Sequence, residues 1–248
     1  MIIKKNEEEI KDIRKACQIA AKALHSAGKV VKPGMTTKEL DNFIDNELVK
    51  NGAKAAFKGY RGYRHASCLS VNNEVVHGIP SDRQLNDGDI IGIDVGAIYN
   101  GFYGDTAKTF PVGKVSKSAK KLLQATEECL EKGIKAVRNG KRIGDLSHVI
   151  EDHATSHGYS VVKDLFGHGV GKQLHEDPLI PNFGKPGTGP RIESGMTFAI
   201  EPMLNIGKSD IETLDDGWTV VTADGSLSAH FEHTILVKSD SVEVLTRI

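Results

Sequence analysis

Cysteine is scarce in this chain. Its three thiols, Cys17, Cys68 and Cys129, lie far apart and in no metal-finger spacing. A disulfide framework and a thiolate zinc finger are therefore excluded, and a reducing compartment fits better. Net charge is missing too: 32 Lys and Arg against 33 Asp and Glu leave −1. That removes the electrostatic basis for a dedicated DNA or anionic-membrane binder. No stretch approaches the ~18 apolar residues of a membrane span. The opening, MIIKKNEEEI, lacks the apolar core of a signal peptide. The expected address is the cytoplasm. What remains is an ordinary globular composition over 248 residues, ample for a buried core. Glycine, at 26 residues, runs somewhat above the usual ~7% and announces many tight turns.

Asn6 with Glu9 forms a capping-box signature, and Ile10, Ile13, Cys17, Ala20 and Leu24 mark one helical face. Pro33-Gly34 stops that helix, and Thr36 with Glu39 opens a second through Leu40, Phe43, Ile44 and Leu48. Short apolar runs follow at 68–80, 88–98 and 102–110 and read as strands. Helical spacing returns at Ser116, and strands resume near residue 159. The order thus repeats. Residues 29–52 lie over 135–158 at a constant offset of 106, with Gly34/Gly140, Leu40/Leu146 and Ile44/Ile150 among six identities. At offset 107, GDIIGIDV (88–95) lies over GMTFAIEP (195–202), which places Asp94 over Glu201. We expect one domain over 1–248 built from two similar halves, roughly 1–113 and 114–248, because neither half alone has the faces to close a core.

Asp94 interrupts a buried-type strand, IIGIDVGAI, where a lone carboxylate is costly unless something positive pairs with it. Asp105 follows across a turn at Tyr99-Asn100-Gly101. A Tyr99-Asn100 loop sets the two aspartates directly opposite, whereas an Asn100-Gly101 loop sets Asp105 against Gly96 and leaves them diagonal. Either register puts both on one face. Such a pair shares a proton or binds cations; the second reading is preferred, since neither strand offers a Lys or Arg on that face. Glu201 sits in a second apolar run, MTFAIEPML, and its partner is expected to be Glu232 in AHFEHTILV. With one neutral imidazole, four carboxylates balance two divalent cations. Oxygen-rich ligation with one nitrogen suits Mn, Fe(II), Co or Zn, and two metals sharing carboxylates can generate hydroxide and polarise a carbonyl.

His168 in GHGVG, between glycines that permit close backbone approach, is a candidate ligand. His77 in VVHGIP and His175 in LHEDP begin turns after apolar runs, as acid–base groups or as structural residues. His25, His65, His148, His153 and His157 read as surface residues. GHGVGK does not fit a phosphate loop, Leu179 breaks an HExxH pattern at His175-Glu176, and no GxSxG elbow occurs. Cys68 beside His65 or His77 is a weak nucleophile pair, because nothing fixes its geometry.

These motifs together resemble the methionine aminopeptidases, in their short bacterial type I form. The matching segments are VNNEVVHGIP (71–80), Asp94 in IDV, GFYGDTAKTF (101–110), GHGVGKQLHEDP (167–178), MTFAIEPM (196–203), DGWTV (216–220) and AHFEHTILV (229–237). The resemblance implies an α+β pita-bread fold whose pseudo-twofold halves enclose a dinuclear metal centre. It implies that Asp94 chelates one metal, that Asp105 and Glu232 bridge both, and that His168 and Glu201 hold the second. Glu201 would also be the general base, His175 would bond the scissile amide, and His77 would assist near the leaving group. Tyr60, Tyr63, Cys68, Phe166 and Trp218 would form the methionine pocket. The implied activity is removal of the initiator methionine from nascent chains whose second residue is small, by metal-activated hydroxide. X-Pro peptidases of the same fold and a non-catalytic binding module are the alternatives. The ribosome is a candidate partner and a monomer the expected state; DNA and membrane are not expected partners. Val76, where many bacterial members carry cysteine, and Phe57, where some carry a small or sulfur residue, depart from the pattern. There is no room before Asp94 for the large N-terminal domain of prolidases.

Overall fold

The computed structural model describes residues 2–248. Helix α1 (Glu7–Val30) begins with both halves of the Asn6/Glu9 capping box formed and buries Ile10, Ile13, Cys17, Ala20 and Leu24. The chain turns at Gly34 (φ +85°) into α2 (Thr37–Lys50), whose Thr36/Glu39 box is likewise complete. Strands β1 (Lys54–Ala55), β2 (Ser67–Val71), β3 (Glu74–Val76), β4 (Ile90–Tyr99) and β5 (Phe102–Pro111) follow. Helices α3 (Lys117–Ala136), capped by Ser116, and α4 (Ile143–Ser156) open the second series. It continues through β6 (Ser160–Val161), β7 (Phe166–Gly169), β8 (Glu176–Pro181), β9 (Thr197–Ile200) and β10 (Met203–Asn205). The last strands are β11 (Ile211–Thr213), β12 (Val220–Thr222), β13 (Ser228–His230), β14 (Glu232–Val237) and β15 (Val242–Val244).

The main sheet runs β1-β4-β5-β14-β9-β7-β8, with β2 beside β4 and β15 beside β14. All of these pairings are antiparallel. Two three-stranded sheets, β13-β10-β6 and β11-β12-β3, stand apart from it. At the centre β5 meets β14, so strands from early and late in the chain share one surface. Helices α2 and α4 begin and end 106 positions apart, at 37 and 143 and at 50 and 156.

Each helix pair packs on its own strands. Leu40, Ile44 and Leu48 bury against Ile91 and Ile93. The equivalent Leu146 and Ile150 bury against Phe198 and Ile200. At about 25 cal/mol per Å2, apolar burial of this kind is the dominant favourable term holding helix to sheet. The α1–sheet contact also needs Gly104, since a Cβ there would lie 2.3 Å from the Cys17 backbone nitrogen. Among the described residues no helix is long and apolar enough to cross a membrane.

Candidate metal centre

The β4–β5 hairpin turns on Asn100 (φ +49°) and Gly101 (φ +81°), the two positive dihedrals of a tight primed turn. Of the two registers open to the sequence, this selects the diagonal one: Asp94 faces Ala107 and Asp105 faces Gly96. Across the next strand Ala107 faces Glu232. Asp94, Ala107 and Glu232 thus form one row over three strands, with Asp105 two residues from Ala107 on the same face. Glu201 differs from the expectation. β9 ends at Ile200, so this carboxylate lies at a break in the strand, where Pro202 offers no N–H to continue the ladder. Its backbone oxygen accepts a 3.1 Å bond from Asn182 Nδ2.

His168 joins them from β7. Its Nδ1 lies 3.0 Å from the Gly169 carbonyl, which can only accept, so Nδ1 carries the proton and Nε2 keeps a lone pair. That Nε2 is 3.5 Å from Glu201 Oε1 and 3.9 Å from Asp105 Oδ2. One donor atom each from Asp105, His168 and Glu232 falls within 4.8 Å of the others. The flanking glycines are required by contact: a Cβ on Gly167 would lie 2.4 Å from the Ala199 oxygen, and one on Gly169 2.3 Å from the Asp177 oxygen.

Burial first, then mutual repulsion, holds Asp94 and Glu232 well above the usual carboxylate range; Glu201 is raised by the same causes. Burial pushes Asp105 up to about 7 and His168 down to about 4. Among the described residues no Lys or Arg forms an ion pair with any of the four acids. Asp94 Oδ1 and Glu232 Oε1 are buried with no hydrogen-bond partner. Buried carboxylate oxygens left so are expensive, and a divalent cation is the partner their chemistry fits. A proton shared between Asp94 and Asp105, the other reading of the sequence, describes the same pair without a cation.

The cluster floors a cavity of about 250 Å3. Every residue expected at the site lines it: the five ligand candidates, His77 and His175, and Tyr60, Tyr63, Cys68, Phe166 and Trp218. Phe57 and Val76, the two departures from the family pattern, line it too. Tyr63 and Trp218 meet edge to face at 5.0 Å. His77 holds φ +59°, rare for a side chain with a Cβ, and Gly78 follows it because a Cβ there would lie 2.3 Å from the Leu69 oxygen. His77 and His175 are related by the repeat. Val71 faces Ile91 while Gly169 faces Phe198; the step of 98 from Val71 to Gly169 also carries His77 to His175 and Pro80 to Pro178.

Sequence reasoning missed Arg61, Leu165, Leu174 and Met203 on the cavity wall. It also passed over His230, buried with its Nε2 unpartnered 3.8 Å from Glu201 Oε2. No periodic signal marked it: His230 ends β13 and Glu232 opens β14, strands of two different sheets. His153, read as a surface residue, has a side chain only 10% exposed, because α3 packs over it.

Carboxylates kept unpaired at this depth, beside an imidazole poised to donate a lone pair, define a metal-dependent hydrolase. The chain belongs to metallopeptidase family M24, whose family model matches residues 11–239. Within that family its likeness is to the methionine aminopeptidases. It is 49% identical to the methionine aminopeptidase of Clostridium perfringens and 49% identical to methionine aminopeptidase 1 of Bacillus subtilis, each over 100% of both chains. The crystal structure of methionine aminopeptidase from Thermotoga maritima superimposes with a TM-score of 0.99 at 47% identity, covering 100% of both chains. The architecture is the pita-bread fold expected from the sequence.

Proposed function

We propose that this chain removes the N-terminal methionine from nascent proteins whose second residue is small. The observation that carries this reading is the cavity itself, in which an apolar and sulfur-lined wall of Phe57, Tyr63, Cys68 and Trp218 meets the carboxylate cluster. An unbranched thioether fits such a wall by dispersion and sulfur–aromatic contact. Asp94, Asp105, His168, Glu201 and Glu232 would hold two divalent cations, and Asp105 and Glu232 would be the shared ligands. Co, Mn, Fe(II) and Zn all suit the donor set. When bound, such ions lower the pKa of water and polarise a carbonyl.

The chain's own residues do the rest. Burial keeps His168 neutral, so its lone pair is free at pH 7. Glu201 is adjacent to both His168 and His230 and is the group we assign as proton shuttle. His175 and His77 stand on opposite sides of the repeat and would bond the amide to be cut and the chain leaving it. Phe57, Tyr60, Phe166 and Trp218 exclude water from the methionine side. We read 1–248 as one catalytic domain of two halves, supported by the 106-residue spacing of its helices. Its setting would be cytoplasmic, supported by its unpaired buried cysteines, and it would act as a monomer that meets nascent chains near the ribosome.

Metal-stripped protein reconstituted with each ion and assayed on a Met-X-Ser series tests this reading. Turnover should be high for Gly, Ala and Ser at X and fall for bulky residues, with Ala-Pro left uncut. Preferred cleavage of X-Pro peptides would overturn it.

A further inference from the structure

Away from the cavity, α3 and α4 bring together three donors that the catalytic reading does not use. His153 on α4 and His157, which caps the C-terminus of that helix, are four residues apart; their ring centroids are 4.3 Å apart. Glu128 reaches them from α3, with Oε2 3.0 Å from His153 Nε2. One donor atom from each of the three lies within 4.8 Å of the others.

Further contacts orient this trio. His157 Nδ1 lies 2.8 Å from the His153 carbonyl, an oxygen that only accepts, so Nδ1 carries the proton and Nε2 keeps the lone pair. Ser156 Oγ, 3.2 Å from the same Nδ1, gives its own proton to that carbonyl. Gln124 Nε2 donates to Glu128 Oε1 at 2.8 Å, which leaves Oε2 turned toward His153. A ring N–H pinned on a backbone carbonyl and a carboxylate steadied through its second oxygen form the outer shell typical of metal-bound ligands.

We propose that Glu128, His153 and His157 form a second divalent-cation site, separate from the catalytic cavity, that ties α3 to α4. Two imidazole nitrogens and one carboxylate oxygen favour Zn2+, Ni2+ or Co2+ over Mg2+ and Ca2+. The cation takes the place of the proton between His153 and Glu128, so binding releases that proton. None of the three residues lines the catalytic cavity, so the site can fill or empty without altering the peptidase ligands.

Equilibrium dialysis of the full chain against micromolar Zn2+, followed by elemental analysis, tests the proposal. Wild type should bind one equivalent more than His157→Ala, and Zn2+ should raise the melting temperature of wild type more than that of the variant. Glu128→Gln, which keeps the shape of the side chain, should weaken the extra equivalent at least ~10-fold. Turnover of a Met-Ala-Ser peptide under the catalytic metal should be the same in all three proteins. Equal Zn2+ content in wild type and His157→Ala would overturn the proposal, as would an extra equivalent of unchanged affinity in Glu128→Gln.

Discussion

Tyr60 Oη lies 2.7 Å from Nδ1 of His175, joining the wall of the cavity to the imidazole that faces it. Burial holds His175 down to about 3, so the ring is neutral at pH 7 and has one proton to place. With the phenol donating to Nδ1, that proton sits on Nε2 and is available to a substrate carbonyl. Removing such a donor costs about 100- to 1000-fold in kcat. His175→Ala should fall in that range with KM little changed. Tyr60→Phe should lose part of it, because the ring is then free to change tautomer. Steady-state kinetics on Met-Ala-Ser, split into kcat and KM, checks both.

Asp105 and Glu232 are the acids that we propose serve both cations. Asp105→Asn or Glu232→Gln should lower turnover by more than ~100-fold, the upper end of what outer-shell changes cost. Metal content should fall in parallel. Near-normal turnover in dialysed, metal-supplemented variant protein would contradict a centre that shares its bridging carboxylates.

Protein stripped of metal should lose stability as pH rises. Burial raises Asp105 from 3.8 to about 7, so between those values the folded state holds a proton that the unfolded chain has released. Stability therefore falls with pH through that window. Urea melts at pH 5 and pH 8 should show the loss, Asp105→Asn should reduce it, and added divalent metal should offset it at pH 8.

Lys5 and Glu176 form a buried pair, Nζ to Oε2 2.5 Å, and Glu176 Oε1 also accepts from the Gln173 N–H at 3.1 Å. The N-terminal segment thus anchors the loop that carries His175. Lys5→Met leaves a buried charge without its partner and should cost about 3–5 kcal/mol, whereas Lys5→Met with Glu176→Leu should recover most of it. Chemical denaturation of the two variants separates these outcomes.

Gly169→Ala should damage the centre without touching a ligand. Its Cβ would lie 2.3 Å from the Asp177 oxygen, backbone that cannot swing aside. Overpacking of this kind costs about 1–3 kcal/mol, and the strain falls next to His168. Metal affinity should drop along with thermal stability, both measurable by calorimetry.

The sequence by itself determined the helices, their caps, the doubled order of elements and the five ligand candidates. These rest on local signals: capping boxes at Asn6 and Thr36, a 3.6-residue apolar period, and acids set in apolar strands at Asp94 and Asp105. Tertiary structure alone decided which acids meet. Both hairpin registers keep Asp94 and Asp105 on one face, and the positive dihedrals of Asn100 and Gly101 chose between them. Strand periodicity carried Glu201 into β9, but Pro202 ends the ladder and sets that carboxylate at a break. His230 and the α3–α4 trio of Glu128, His153 and His157 were not legible, because burial between distant elements leaves no periodic trace. Local chemistry fixes what each segment becomes. Which side chains face one another across 100 residues is decided by packing, and in this chain packing turned four scattered acids into one centre.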